Sequence, residues 1–300
     1  MKIVFAGTPE FAVPVLEMLL KSSVDVIAVY TQPDRPAGRG KKLQASPVKE
    51  FALAHDIPVH QPEKLTDIIE CDAMVVVGYG LLLPERVLET PKYGCINVHP
   101  SLLPKWRGAT PVQQAIASGD VMTGVSVMQL DKGMDSGPIY AQENYKMKGD
   151  ETSGELYQYL FERGAKLLLE VLDNIDTMKP KPQHDVNATY TGKIKKDDAR
   201  IHWSESAKII EQKIRAYNPW PISFAEFDHE RVRVLSASII EQENVEPGVV
   251  VALSKNGLDV GTGEGALRIT ELQIPGKKAM QAKDFANAYR DKFVVGKAFT

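Results

Sequence analysis

No apolar run in the 300-residue sequence approaches the roughly 18 residues of a membrane-spanning helix, so no spanning segment is expected. The first apolar run, Lys2 to Ala6, breaks at Gly7-Thr8-Pro9, too early for a secretory core and without a cleavage-site pattern. An Arg-rich amphipathic leader is missing as well, and a cytoplasmic protein is the expectation. Cysteine is scarce. The two thiols, Cys71 and Cys95, stand in apolar settings without CxxC or Cys/His ligand spacing, which excludes a disulfide framework and leaves two buried, reduced thiols as the expected state. His-Glu-x-x-His and Gly-x-Ser-x-Gly are both absent, so neither metal-dependent hydrolysis nor a serine nucleophile has its usual mark, and no metal is expected.

What is present is ordinary in bulk and uneven in detail. With 43% hydrophobic and 25% charged residues the chain falls among soluble globular proteins, and its length favours two domains, each able to bury a core. The net charge of −3 hides a basic stretch in which Arg35, Arg39, Lys41, Lys42 and Lys49 occur between residues 35 and 49 with no acidic residue among them. Such a patch can bind a polyanion on an otherwise acidic protein, although composition alone favours a solvated loop.

Strand Lys2–Ala6, helix Ala12–Leu20 and strand Val24–Tyr30 open the chain as β-α-β, which calls for a right-handed crossover and a parallel sheet. Further valine- and isoleucine-rich runs at Ala73–Gly78, Cys95–Val98 and Gly124–Leu130 read as strands buried on both faces, with helices at Pro47–Ala54 and Pro111–Ser118. Thr152-Ser153-Gly154-Glu155 has capping-box spacing before a long amphipathic segment that closes the first domain. The fold class expected is α/β: an N-terminal Rossmann-like, parallel-rich open sheet with helices on both faces (1–178), a Pro- and Lys-rich linker (179–204), and a C-terminal domain (205–300). In the last, a helix at Ser206–Tyr217 precedes five short strands, at Ser223–Phe227, Arg231–Ile240, Gly248–Leu253, Leu258–Gly261 and Leu267–Gln273, as in a small OB-like β-barrel.

A β-α-β start invites a dinucleotide, yet the first turn is Ala6-Gly7-Thr8-Pro9-Glu10-Phe11 and lacks the glycines that let backbone approach a pyrophosphate, so no NAD is expected. Gly38-Arg39-Gly40-Lys41-Lys42 likewise lacks Walker A spacing. A different constellation carries chemistry. Asn97 and His99 close the strand Cys95–Val98 two residues apart, on one face, and Asp135 follows the strand Gly124–Leu130 in a glycine-containing loop. An amide and an imidazole can each donate a hydrogen to an oxyanion, and a carboxylate beside the imidazole can orient the ring and take up an amine's proton through a water. That is a site for acyl transfer to an amine. An Asn-x-His-Pro turn can equally just end a strand, and spacing does not choose between the two.

Longer motifs do. Asn97-Val98-His99-Pro100-Ser101-Leu102-Leu103-Pro104-Lys105-Trp106-Arg107-Gly108, continued by Ala109-Thr110-Pro111 and Asp131-x-Gly133-x-Asp135-x-Gly137-Pro138-Ile139, resembles the signature of folate-dependent formyltransferases. Phe5 to Phe11, Gln32 to Lys42, Ala216 to Pro221 and Pro275 to Met280 extend the resemblance over nearly the full length, toward the members that act on initiator tRNA. It implies 10-formyltetrahydrofolate as formyl donor and the α-amino group of methionyl initiator tRNA as acceptor. Asn97, His99 and Asp135 match the family's catalytic trio. The folate would be bound by main-chain groups of Leu81 and Leu83 and beside Ser101, Leu102, Leu103, Pro104, Asp131 and Gly133, although Leu81 and Leu83 also fit plain core. Arg35, Arg39, Lys41 and Lys42 match an insertion that reaches the tRNA. Lys277, Lys278 and the linker lysines Lys193, Lys195 and Lys196 are further, weaker candidates. A monomer with no obligate protein partner is expected. The alternatives are a formyltransferase for a nucleotide-sugar or other small amine, a formyl-folate hydrolase, and a noncatalytic tRNA-binding protein.

Overall fold

In the computed structural model, which describes residues 1–37 and 42–300, the chain forms two compact units, and neither is continuous in sequence. The first comprises Met1–Pro111, Met122–Lys146 and Tyr157–Thr191; the second comprises Val112–Val121, Met147–Leu156 and Gly192–Thr300. The stretch 179–204 is thus divided at Thr191.

The chain begins β1 (Lys2–Gly7), α1 (Val13–Leu20), β2 (Asp25–Tyr30), β3 (Arg35–Ala37), β4 (Lys42–Gln44), α2 (Pro47–Ala54), β5 (Val59–His60) and β6 (Ala73–Val77). It continues α3 (Glu85–Glu89), β7 (Cys95–His99), β8 (Arg107–Gly108), α4 (Pro111–Ala117), β9 (Met122–Gln129), β10 (Ile139–Lys146), α5 (Ser153–Asp173) and β11 (Tyr190–Thr191). Seven strands form one sheet in the order β10-β9-β7-β6-β1-β2-β5. From β7 to β5 the strands are parallel; β9 runs antiparallel to β7, and β10 antiparallel to β9.

Alternation along the strands sorts the core into two layers. Ile3, Phe5, Val75, Val77, Ile96, Val98, Val125 and Val127 face Leu16 of α1 and Phe161, Leu168 and Leu172 of α5, all buried. Val4, Ala6, Met74, Val76 and Cys95 face the other way, with Leu65, Cys71 and Val87. A near-continuous apolar run, with alternate residues serving the two layers, is what a strand buried on both faces requires. Glycine at position 164 lets α5 lie close on the sheet: a Cβ there would stand 2.6 Å from Val98 Cγ1 and 2.8 Å from Val125 Cγ2. Both cysteines are buried and unpaired.

The second unit carries the capping box expected at Thr152, whose Oγ1 and N–H both donate to Glu155 Oε2 at 2.8 and 2.9 Å. After α6 (Ala207–Ala216), capped by Ser206, come β12 (Ser223–Phe227), β13 (Glu230–Ile240), β14 (Val250–Ser254), β15 (Gly257–Gly261), β16 (Ala266–Gln273), β17 (Met280–Gln281) and α7 (Ala282–Ala288). The antiparallel path is β12-β13-β16-β15-β14, with β17 on β16. The C-terminal tail spans the gap between the path's ends: Val250 N–H donates to Lys297 O at 2.8 Å, and Glu226 and Thr300 exchange two main-chain bonds of 2.8 Å. Trp203, Phe227, Phe285, Phe293 and Phe299 fill the interior. No helix among the described residues is long and apolar enough to cross a membrane.

Candidate active site

Cys95, Asn97 and His99 point to one face of β7, and Ile96 and Val98 to the other, where α5 lies. The strand is interior, between β6 and β9, so all five residues are buried and the two polar side chains are held on a rigid support. Asn97 is 8% exposed, and its carboxamide makes no hydrogen bond to any described residue. Its donors are therefore not consumed by the fold.

His99 is fixed more closely. Its Nε2 lies 3.0 Å from the main-chain oxygen of Trp106. A carbonyl can only accept, so Nε2 carries a hydrogen in every charge state, and Nδ1 is the nitrogen that gains or releases a proton. Nδ1 faces Asp135 Oδ2 at 3.8 Å, within ion-pair range and beyond hydrogen-bond length. The same Oδ2 accepts the Gly108 N–H at 2.7 Å. The ring is thus oriented by Trp106, whereas the sequence assigns that task to Asp135. Trp106 and Asp135 both adopt left-handed φ, 62° and 50°, a conformation that costs a non-glycine residue about 1 kcal/mol or more.

Asp135 reaches this position by an unexpected path. Because β9 is antiparallel to β7, with Ile96 opposite Gln129 and His99 opposite Ser126, the loop after β9 leaves at the end of β7 away from His99. The loop folds back to deliver the carboxylate. Asp131 stabilises that fold, accepting from Gly133 N–H at 2.9 Å and Ser136 Oγ at 2.8 Å, and a Cβ at Gly133 would stand 2.0 Å from Ser136 Oγ.

The other residues expected at the site divide by what the protein already does with them. Ser101 is fully buried and donates to Lys105 O at 2.6 Å; Leu103 is buried, its N–H bonded to Ser126 Oγ at 3.2 Å and its carbonyl to Gln142 Nε2 at 2.9 Å. These two brace the loop, leaving Leu102 and Pro104 half-buried beside it. After β6, Gly78 and Gly80 take left-handed φ, and the chain runs through Leu81, Leu82 and Leu83 with no main-chain hydrogen bond to any described residue. Leu81 and Leu83 pack at the core's edge, while Leu82 is 96% exposed. An ion pair between Glu85 and Lys132 joins this loop to the Asp131 loop.

Of the four basic residues expected to meet tRNA, Arg35 and Lys42 are exposed on the paired strands β3 and β4, and Arg39 and Lys41 lie outside the described residues. Lys49, counted in the same basic stretch, is neutralised by Asp34 at 2.7 Å. That hydrogen bond, with one from Gln61, holds the Asp34 carboxyl below its ordinary range.

Residues 1–172 match the family described as Formyl transferase, and residues 193–290 match Formyl transferase, C-terminal domain. The chain belongs to the formyl transferase family. A methionyl-tRNA formyltransferase of Idiomarina loihiensis is 47% identical over 312 residues, covering 99% of each chain. One of Coxiella burnetii is 46% identical over 308 residues, covering 99% of this chain and 98% of the other. The solved sugar 3N-formyl transferase WlaRD, crystallised in the presence of dTDP and 5-N-formyl-THF, aligns with a TM-score of 0.67 over 93% of this chain and 99% of its own, at 21% identity, a likeness of fold.

Two residues to which the sequence reading gave no role, Arg107 and Gln183, tie the Asp135 loop to the Arg107 segment. Arg107 is 1% exposed, and its guanidinium donates to Gln183 Oε1 at 2.9 and 3.1 Å, to Asp185 at 2.9 Å and to the Tyr190 hydroxyl at 3.0 Å. Burial alone would lower its pKa; the Asp185 and Tyr190 bonds outweigh that and raise it. A charged residue inside the Trp106-Arg107-Gly108 motif was a signal. Gln183, between prolines and lysines in an apparent linker, gave none.

Proposed function

We propose that this chain transfers the formyl group of 10-formyltetrahydrofolate to the α-amino group of methionine carried by initiator tRNA. The observation that carries the reading is relatedness at 46–47% identity over 99% of the chain to methionyl-tRNA formyltransferases, joined to a site whose groups suit the reaction.

The amine attacks the formyl carbon, a C–N bond forms, the carbonyl oxygen becomes an oxyanion, and the bond from formyl carbon to donor nitrogen then breaks. Asn97 donates an N–H to the oxyanion from a carboxamide with no internal partner among the described residues. His99 donates from Nδ1, the only ring nitrogen that its bond to Trp106 leaves available, when the ring is in its protonated form, beside the Asp135 carboxylate 3.8 Å away. The Asp135 carboxylate also takes the proton released by the amine, through a water. The leaving nitrogen receives a proton, so the net change is exchange of formyl for hydrogen between two nitrogens.

The unpaired main-chain groups at Leu81 to Leu83 suit the edge of a pterin, which presents donors and acceptors in one plane, and exposed Leu82 supplies an apolar contact. Leu102, Pro104, Asp131 and Gly133 complete the proposed folate contacts. Arg35, Arg39, Lys41 and Lys42 supply cations for tRNA phosphates. The test is formyl transfer from 10-formyltetrahydrofolate to methionine-charged initiator tRNA, beside free methionine and uncharged tRNA. Transfer to the charged tRNA alone is expected. Formate release without an acceptor would instead indicate a hydrolase, and transfer to a nucleotide-sugar amine but not to tRNA would indicate the small-amine reading.

A further inference from the structure

Gln183 has every hydrogen-bonding valence of its carboxamide engaged at one point. Its Nε2 donates to the main-chain oxygens of Asp135 at 2.8 Å and Gly137 at 2.7 Å, and its Oε1 accepts two bonds from Arg107. The segment behind it is sewn to the other flank of the imidazole: Trp106 N–H donates to Thr189 Oγ1 at 2.8 Å, Arg107 N–H to Thr189 O at 2.8 Å, and β8 pairs with β11. One strap, residues 183–191, therefore grips both left-handed residues that contact His99, Trp106 through its oxygen and Asp135 through its carboxylate.

We infer that Gln183, clamped by buried Arg107, is a positioning residue for formyl transfer, acting through Asp135 without touching substrate. The inference rests on the proposed role of Asp135. The left-handed backbone at Asp135 is held by the two bonds from Nε2; without them the loop relaxes and the carboxylate swings from Nδ1 of His99. Displacement by about 1 Å at a reacting group can cost on the order of 10²-fold in rate.

Gln183→Glu separates positioning from mere attachment. It keeps an oxygen for Arg107, so the strap stays tied, but turns an oxygen toward the Asp135 and Gly137 carbonyls. The expected result is a kcat about ten- to a hundredfold lower, with KM for both substrates within about threefold and a near-normal melting temperature. In an Asp135→Asn background, Gln183→Glu should lower kcat by less than about threefold more, because a positioning residue has nothing left to position. An impaired Asp135→Asn enzyme beside a Gln183→Glu enzyme of full kcat would overturn the positioning role alone, as would fully additive losses. An unimpaired Asp135→Asn enzyme would overturn the reading of the carboxylate and the positioning role together.

Discussion

Replacing Asn97 with alanine separates catalysis from folding. The carboxamide is buried and bonded to no described residue, so its removal orphans no partner among them. Strand β7 keeps its register with Val76 and Met128, since that pairing is made by the main chain. What remains is a small void, and a stability loss of at most about 1.5 kcal/mol is expected. The transition state fares worse. On the proposed mechanism it loses one of two donors to an oxyanion in a site shielded from solvent, which in comparable sites costs about 10²–10³ in kcat, or roughly 2.7–4 kcal/mol. The oxyanion is absent from the ground state, so KM for the folate and for methionyl-tRNA should change little. Steady-state kinetics on both substrates, with urea unfolding of the same preparations, measure all three quantities. Asn97→Asp, equal in size, should be at least as impaired because a carboxylate cannot donate and repels the developing charge. A kcat reduced by less than about fivefold in the alanine variant would remove Asn97 from the mechanism, and an effect confined to KM would make it a uniform binding group.

Gly164→Leu should destabilise the first unit by about 1–3 kcal/mol, because the new side chain must displace Val98 and Val125 where even a Cβ lies within 2.8 Å of both; an unchanged melting temperature would contradict the packing of α5 on the sheet. Burial pushes the Cys95 thiol up to about 12 and the Cys71 thiol up to about 11, against 9.0 for the free group. The folded chain holds these protons more tightly than the unfolded chain, so their contribution to stability is intact below pH 9.0 and is lost as the pH rises through 11 to 12. Urea midpoints between pH 8 and 11 should fall less steeply in Cys95→Ala than in the parent protein, and parallel curves would refute the coupling. Replacing Arg39 and Lys41 together with alanine should raise KM for methionyl-tRNA and flatten its salt dependence, by roughly 0.7–0.9 in log–log slope for each phosphate no longer neutralised; kinetics unchanged at low and high salt would leave those residues merely solvated.

Local patterns in the chain are strong where the physics is local. Pro47–Ala54 is a helix with both ends where the sequence puts them, because Ser46 caps it and proline occupies its first turn. Ser223–Phe227 likewise keeps its expected bounds, a mostly buried run ended by a turn at Asp228-His229, both with positive φ. β10 escapes sequence reasoning, since an edge strand with one wet face (Ile139–Lys146) carries only Ile139 and Ala141 as apolar side chains besides its tyrosines and has no continuous buried run. The tail's closure of the C-terminal sheet is equally invisible, because residues 297–300 pair with strands that lie tens of residues earlier in the chain.

By itself, the sequence determined the α/β character of the first unit and the antiparallel strands of the second, since periodicity and capping act over a few neighbours, and its longer motifs rather than spacing nominated Asn97, His99 and Asp135. Only the tertiary structure decided how those three groups are presented. The direction of β9 depends on pairing across the sheet, and it sends Asp135 back over β7 by a folded loop. Trp106, seven residues from His99, engages one imidazole nitrogen and leaves the other facing Asp135, and Gln183, 48 residues from Asp135, holds the loop that bears the carboxylate. Those interactions join segments with no sequence periodicity in common. Burial and hydrogen-bond saturation, which exist only once the chain has folded, are what single them out.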